Sequence, residues 1–164
     1  MPKAPKVRLP RTPIDSISAP DFETRQAFLH KFPKYRQLES RLLAGGGEIV
    51  VLCYEPNLTK EVKKGQIFAL PVRRACGGRN ACHKNSALFW KKNPARYKIV
   101  VGWGLGFILS KNGQSVESDQ KWRQHTFILD TKNNVIIETT IPRLKYFGTV
   151  LTPKQAELFY ERGP

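Results

Sequence analysis

The stretch Ala75-Cys76-Gly77-Gly78-Arg79-Asn80-Ala81-Cys82-His83-Lys84-Asn85-Ser86-Ala87-Leu88-Phe89-Trp90 constrains the rest of the chain most. It reads as a glycine-rich loop running into a helix whose first turn carries Cys82. Gly77 and Gly78 admit backbone conformations that a side chain would forbid. Asn80 is a favoured N-cap type, expected to bind a first-turn amide. Ala81, Asn85, Leu88 and Phe89 recur at helical spacing, roughly on one face with Cys82. A thiol in that position feels the positive end of the helix dipole, which favours thiolate. A buried structural cysteine is the plainer alternative, so the remainder of the chain has to decide.

At 164 residues the chain is long enough for one domain with a proper core, and its 40% hydrophobic content is that of a globular protein. No run reaches the roughly 18 apolar residues of a membrane span, and no secretory segment is expected at the start. Three cysteines, Cys53, Cys76 and Cys82, suggest reduced thiols in a cytoplasmic setting rather than a disulfide framework. The net charge of +15 favours polyanions, acidic proteins or anionic surfaces. Lys63, Lys64, Arg73, Arg74, Arg79, Lys91 and Lys92 are the candidate polyanion-binding residues. No zinc-finger spacing, RNA-recognition signature or basic zipper is present.

Residues 1–19, with Pro2, Pro5, Pro10 and Pro13 among Lys3, Lys6, Arg8 and Arg11, read as a flexible basic arm. Residues 20–164 read as a single catalytic-type α+β domain. Two helices are expected over 21–30 and 33–44, broken by Pro33 and ended at Gly45-Gly46-Gly47. No Lys-Ser/Thr pair follows these glycines, so they make no phosphate loop. A buried strand is expected over 48–54, then a polar connection over 55–64 and a strand over 66–72. Residues 97–110 look too long and glycine-rich for one regular strand; Gly102, Gly104 and Gly106 share a face that something should approach closely. Asn112-Gly113 signals a turn, and a polar loop is expected to Gln120. A strand near 146–151 precedes a capping-box helix at Thr152-Pro153-Lys154-Gln155. The order predicts α+β, with an antiparallel sheet packed against the cysteine helix.

Between these lie Trp122-Arg123-Gln124-His125-Thr126-Phe127-Ile128-Leu129-Asp130 and Asn133-Asn134-Val135-Ile136-Ile137-Glu138-Thr139-Thr140, two strands of a hairpin. Cysteine nucleophilic catalysis needs a thiolate, a base in reach and a group that orients the base. Cys82 and His125 supply the first two. Adjacent His83 points about 100° away on a helix and makes a poor base; it is expected to be exposed or at the site rim. Glu138 and Asp130 compete for the third role. If the loop is the four residues 130–133, Leu129 pairs with Asn134 and His125 lies opposite Glu138, roughly 5 Å away at Cβ. An odd loop would put Glu138 on the other face, and Asp130 would sit too far along the strand. Glu138 is preferred. The Cys82 N–H, with Asn80 or Gln124, would serve as oxyanion donors.

This order resembles the transglutaminase-like branch of the papain-like cysteine enzymes. The segments that carry it are Asn80-Ala81-Cys82-His83, Gln124-His125-Thr126-Phe127 and Ile137-Glu138-Thr139-Thr140. Glu138 stands where that family has Asp, and Thr126-Phe127 where a small residue and Trp are common. The resemblance spans about residues 75–150. It implies a papain-like core and a Cys–His–acid acyl transfer (amide or ester hydrolysis, deamidation or transamidation) with a protein, peptide or small amide as substrate, and no cofactor. Two other readings stand beside it. One is a basic module binding nucleic acid or an acidic protein. The other is a metal site of Cys76, Cys82, His83 and His125, whose Cys-x5-Cys-His spacing fits no common zinc pattern.

Overall fold

The computed structural model describes residues 22–75, 77–78, 80–106, 108–111, 114–117 and 120–162. The basic arm, Cys76, Arg79 and the Asn112-Gly113 turn lie outside them. The elements are α1 (Phe22–Lys31), α2 (Lys34–Ala44), β1 (Ile49–Val50), α3 (Leu58–Lys64), β2 (Gln66–Phe68), β3 (Val72–Arg74), α4 (Cys82–Lys91), β4 (Tyr97–Leu105), β5 (Ile108–Lys111), β6 (Gln114–Glu117), β7 (Lys121–Asp130), β8 (Val135–Glu138), β9 (Lys145–Val150) and α5 (Pro153–Arg162). The chain is mixed α+β. Among the described residues no helix is long and apolar enough to cross a membrane.

The main sheet runs β2-β9-β4-β7-β8-β3, with β1 beside the start of β7. It is not purely antiparallel: β1 pairs β7, and β3 pairs β8, in parallel. β5 and β6 pair antiparallel as a separate two-stranded sheet, β6 lying where a polar loop was expected. β2 and β7 are three strand spacings apart, on the order of 14 Å in a flat sheet. Yet the Phe68 and Phe127 rings meet edge-on at 5.5 Å, so the sheet is curled. Its concave face holds Phe68, Val100, Phe127, Ile136 and Tyr146. On the outer face, Trp103, Leu105 and Trp122 meet Leu29 of α1 and Leu38 and Leu42 of α2. Further along that face, Ile99, Val101, Ile128 and Ile137 meet Trp90 of α4 and Ala156 of α5.

Several expectations are corrected. The apolar run after Glu48 is a strand only at Ile49–Val50, and from Val50 onward side chains take several of the carbonyls. Arg25 binds Val50 O, Tyr35 binds Cys53 O and Gln124 binds Tyr54 O. The polar connection holds a helix, α3, with Glu61 buried beneath it. The 66–72 strand is two strands, β2 and β3, at opposite ends of the sheet. Residues 97–110 are, as expected, more than one strand: β4 ends at Leu105, before Gly106, and β5 begins at Ile108. Within β4 the glycine face is closely approached, since a Cβ on Gly102 would lie 2.1 Å from Phe147 O, so β9 can approach only a glycine there. In α4 the buried residues are Ser86, Ala87 and Trp90, while Leu88 is 50% exposed. The Thr152–Gln155 capping box forms in full, with Gln155 N donating to Thr152 Oγ1 at 3.3 Å and Thr152 N to Gln155 Oε1 at 3.0 Å.

Candidate active site

β7 is paired with β4 along its length, but its other edge meets β1 only at Lys121–Trp122 and β8 only at Ile128–Asp130. The N-terminal half of α4 docks into the gap. Ser86 Oγ donates to Thr126 O at 3.2 Å, and His83 Nδ1 lies 2.6 Å from Thr126 Oγ1. Ahead of α4, the loop is clamped by Asn85. Its side chain donates to Gly78 O (2.8 Å) and Thr139 O (3.2 Å) and accepts from Gly78 N (3.2 Å). A Cβ on Gly77 would lie 2.4 Å from both Asn85 Nδ2 and Thr139 O, which explains the glycine. One side chain thus ties the segment before Cys82 to the strand end that carries Glu138.

The observed register pairs Asp130 with Val135 and Ile128 with Ile137. The loop is residues 131–134, so its parity is even as expected, but the register is offset by two residues. Continued, it sets Glu138 opposite Phe127, on the same face as His125 and diagonal to it. The longer Glu side chain spans that diagonal: His125 Nε2 lies 2.8 Å from Glu138 Oε2. Asp130 is engaged elsewhere, bound by Arg96 at 2.8 and 2.6 Å.

Glu138 is saturated with donors. Tyr146 O–H donates to Oε2 at 3.0 Å, and Thr140 N and Oγ1 donate to Oε1 at 2.7 and 2.8 Å. The Tyr146 oxygen in turn accepts from Arg143 N at 3.0 Å. Burial would raise the Glu138 carboxyl, but the hydrogen bond and charge of His125, with Thr140, hold it below its ordinary value. His125 is 1% exposed. Burial disfavours its imidazolium, yet Cys82 and Glu138 outweigh that and push it up to about 9. Its second nitrogen, Nδ1, has no hydrogen-bond partner of ordinary geometry among the described residues, and the Cys82 thiol is near enough to interact with the ring. Cys82 is half-buried. Burial raises its thiol, but His125 and the Thr126 backbone N–H overcome this and lower it below its ordinary value. The three groups therefore favour a thiolate–imidazolium–carboxylate arrangement. Cys53 is the contrast: burial, then Glu55 and Glu61, push it up to about 12.

The remaining candidates are placed less favourably. Asn80 does not cap α4; it is exposed with φ 53°, and the cap position is Ala81, which offers no side-chain acceptor. Gln124 points to the outer face, one residue out of phase with His125. Its amide is committed to Glu55 Oε2 at 2.6 Å and Tyr54 O at 3.3 Å, so it is no oxyanion donor. His83 borders the site, half-buried against Phe159 rather than exposed. Burial and the charge of His125 lower its pKa. Lys63 and Lys64 end α3, Arg73 and Arg74 lie on β3, and Lys91 and Lys92 close α4, so these cations are spread over three elements. Lys91 is paired with Glu157 at 3.0 Å.

Sequence reasoning missed Asn85, Thr126, Thr140 and Tyr146. An acid followed two residues later by Thr is a local signal for Thr140. Tyr146 leaves none, since β9 reaches Glu138 only through the curl. Among the described residues no cluster of three His, Cys, Asp or Glu is arranged to hold a metal ion. No family model, curated protein or solved structure matches the chain.

Proposed function

We propose that the protein is a cysteine-dependent acyl-transfer enzyme with a core of the papain-like, transglutaminase-like kind. The observation that carries this is the buried His125 ring, held through Nε2 by a saturated Glu138 while it lowers the Cys82 thiol. The Cys82 sulfur attacks an amide or ester carbonyl and forms a C–S bond. The His125 imidazolium gives its proton to the leaving amine or alcohol as the C–N or C–O bond breaks. Neutral His125 then takes a proton from water or an amine that attacks the thioester, which regenerates the thiolate. Glu138 holds the ring and stabilises its charged form without touching substrate. Because Ala81 supplies no side-chain cap, the Cys82 N–H and its neighbours have no side-chain acceptor among the described residues and would meet the oxyanion.

The test is iodoacetamide alkylation followed by mass spectrometry across pH, with wild type, Cys82→Ala and His125→Ala. Cys82 is expected to react faster than a free thiol at neutral pH, and Cys53 slowly. His125→Ala is expected to return Cys82 to ordinary thiol behaviour. If Cys82 and Cys53 react alike, the proposal fails.

A further inference from the structure

We infer that the open edge of β3 is a docking strand for an extended, acidic segment of a protein substrate, which it leads to Cys82; this rests on the acyl-transfer reading above. β3 is the last strand of the main sheet, paired on one side only among the described residues, and Val72, Arg73 and Arg74 are all exposed. The ladder to β8 includes Ile136 N to Pro71 O and Ala75 N to Glu138 O, both 2.8 Å. Residues 71, 73 and 75 therefore face β8, and the N–H and C=O groups of Val72 and Arg74 face outward, without partners among the described residues. A row of groups at this spacing matches a peptide backbone. A nucleic acid could use the arginines but would leave the outward carbonyls unmatched.

Charge selects the occupant. No Asp or Glu occurs between Glu61 and Glu117, the segment that includes β3, the nucleophile loop and α4. Nearby, Glu138 is buried and bound to His125. Arg73 and Arg74 form no ion pair among the described residues, and they project to opposite faces of the strand, so they would flank a docked chain on both sides. Lys84, exposed in the first turn of α4, extends the field to the thiol. Arg74 is in register with Glu138, Ala75 closes the ladder, and Gly78, clamped by Asn85, lies between them and Cys82 in the chain.

The test uses the full chain with three fluorescent probes: a peptide alternating Glu with Thr, its Gln-for-Glu counterpart, and single-stranded oligothymidylate. Anisotropy is expected to show binding of the acidic peptide alone. Amide exchange at Val72 and Arg74 is expected to slow on binding. Two variants, Val72→Pro, which removes an outward donor from an edge, and the double Arg73→Glu/Arg74→Glu, are each expected to weaken binding roughly tenfold or more. Wild-type alkylation of Cys82 in both variants would show that the site is intact. Equal binding of the Glu and Gln peptides, preference for oligothymidylate, or affinity untouched by both variants would overturn the inference. Fast alkylation of Cys82 without peptide binding sinks the docking strand alone. Peptide docking with an unreactive Cys82 sustains it and sinks the acyl-transfer reading.

Discussion

Glu138 and Glu61 are the same residue type, both fully buried against one sheet, and they ionise in opposite senses. Glu138, on the concave face, receives four donor groups and carries its charge beside His125. Glu61, under α3 on the outer face, receives Trp103 Nε1 on Oε2 at 2.8 Å, and its Oε1 has no partner among the described residues. Arg41 lies close by but spends its guanidinium on the carbonyls of Glu61, Val62 and Gly65. Burial, then the charge of Glu55, push the Glu61 carboxyl up to about 8. At neutral pH Glu61 is therefore mostly a buried acid and Glu138 a buried anion. Burial acts on both alike; the number of donors aimed at the carboxylate decides the outcome.

The comparison breaks most visibly if the donors are made useless. Glu138→Ala leaves a buried imidazole without its counter-charge, and denaturant unfolding is expected to show a loss of about 3–5 kcal/mol. The conservative Glu138→Gln keeps the shape, so its cost should appear in the chemistry. The apparent thiol pKa of Cys82, read from alkylation against pH, should rise toward the ordinary value. Turnover should fall by roughly 10³- to 10⁴-fold, as when a triad carboxylate becomes an amide. Next in size is Tyr146→Phe, which takes one donor from a charged acceptor and strands Arg143 N–H. Unfolding should cost about 1.5–3 kcal/mol, and the acid limb of the alkylation profile should move to higher pH.

The smallest effect sharpens the other side. Glu61 has a folded pKa raised above its ordinary 4.5. The stability it contributes is complete below that value and is lost as pH rises through about 8. Wild-type stability measured across pH 5 to 8 should therefore decline, and Glu61→Gln should flatten that slope. His125, also raised, adds stability that is complete below 6.5 and is lost as pH rises through about 9. The residual alkaline decline in Glu61→Gln should then shrink further in the variant that also carries His125→Ala. A slope unchanged by Glu61→Gln would mean that the carboxyl is ionised in its buried site after all.

Much of this was legible without coordinates where the signal is local. The Pro33 break, the glycine stop after Ala44, the capping box of α5 and the even parity of the β7–β8 loop follow from residues within a few positions of one another. Parity alone put His125 and Glu138 on one face. The apolar run after Glu48 misled, and backbone groups there are claimed by Arg25, Tyr35 and Gln124, each from another part of the chain. Asn80 misled in a different way: its cap propensity is real, but the loop turns left-handed at that residue and leaves Ala81 in the cap position.

Residue order and type determined that a thiol opens a helix, that an imidazole and a carboxylate stand on neighbouring strands, and that the chain is strongly basic. Only the tertiary structure decided the two-residue offset that makes the Glu138 contact diagonal, the rejection of Gln124, and the donation of Tyr146 from across the curl. The reason is range. Turns, caps and alternation are short-range consequences of sterics and hydrogen bonding. Which donors reach a buried acid depends on groups brought together by the packing of the whole sheet, and that packing left Glu61 short of donors and Glu138 saturated.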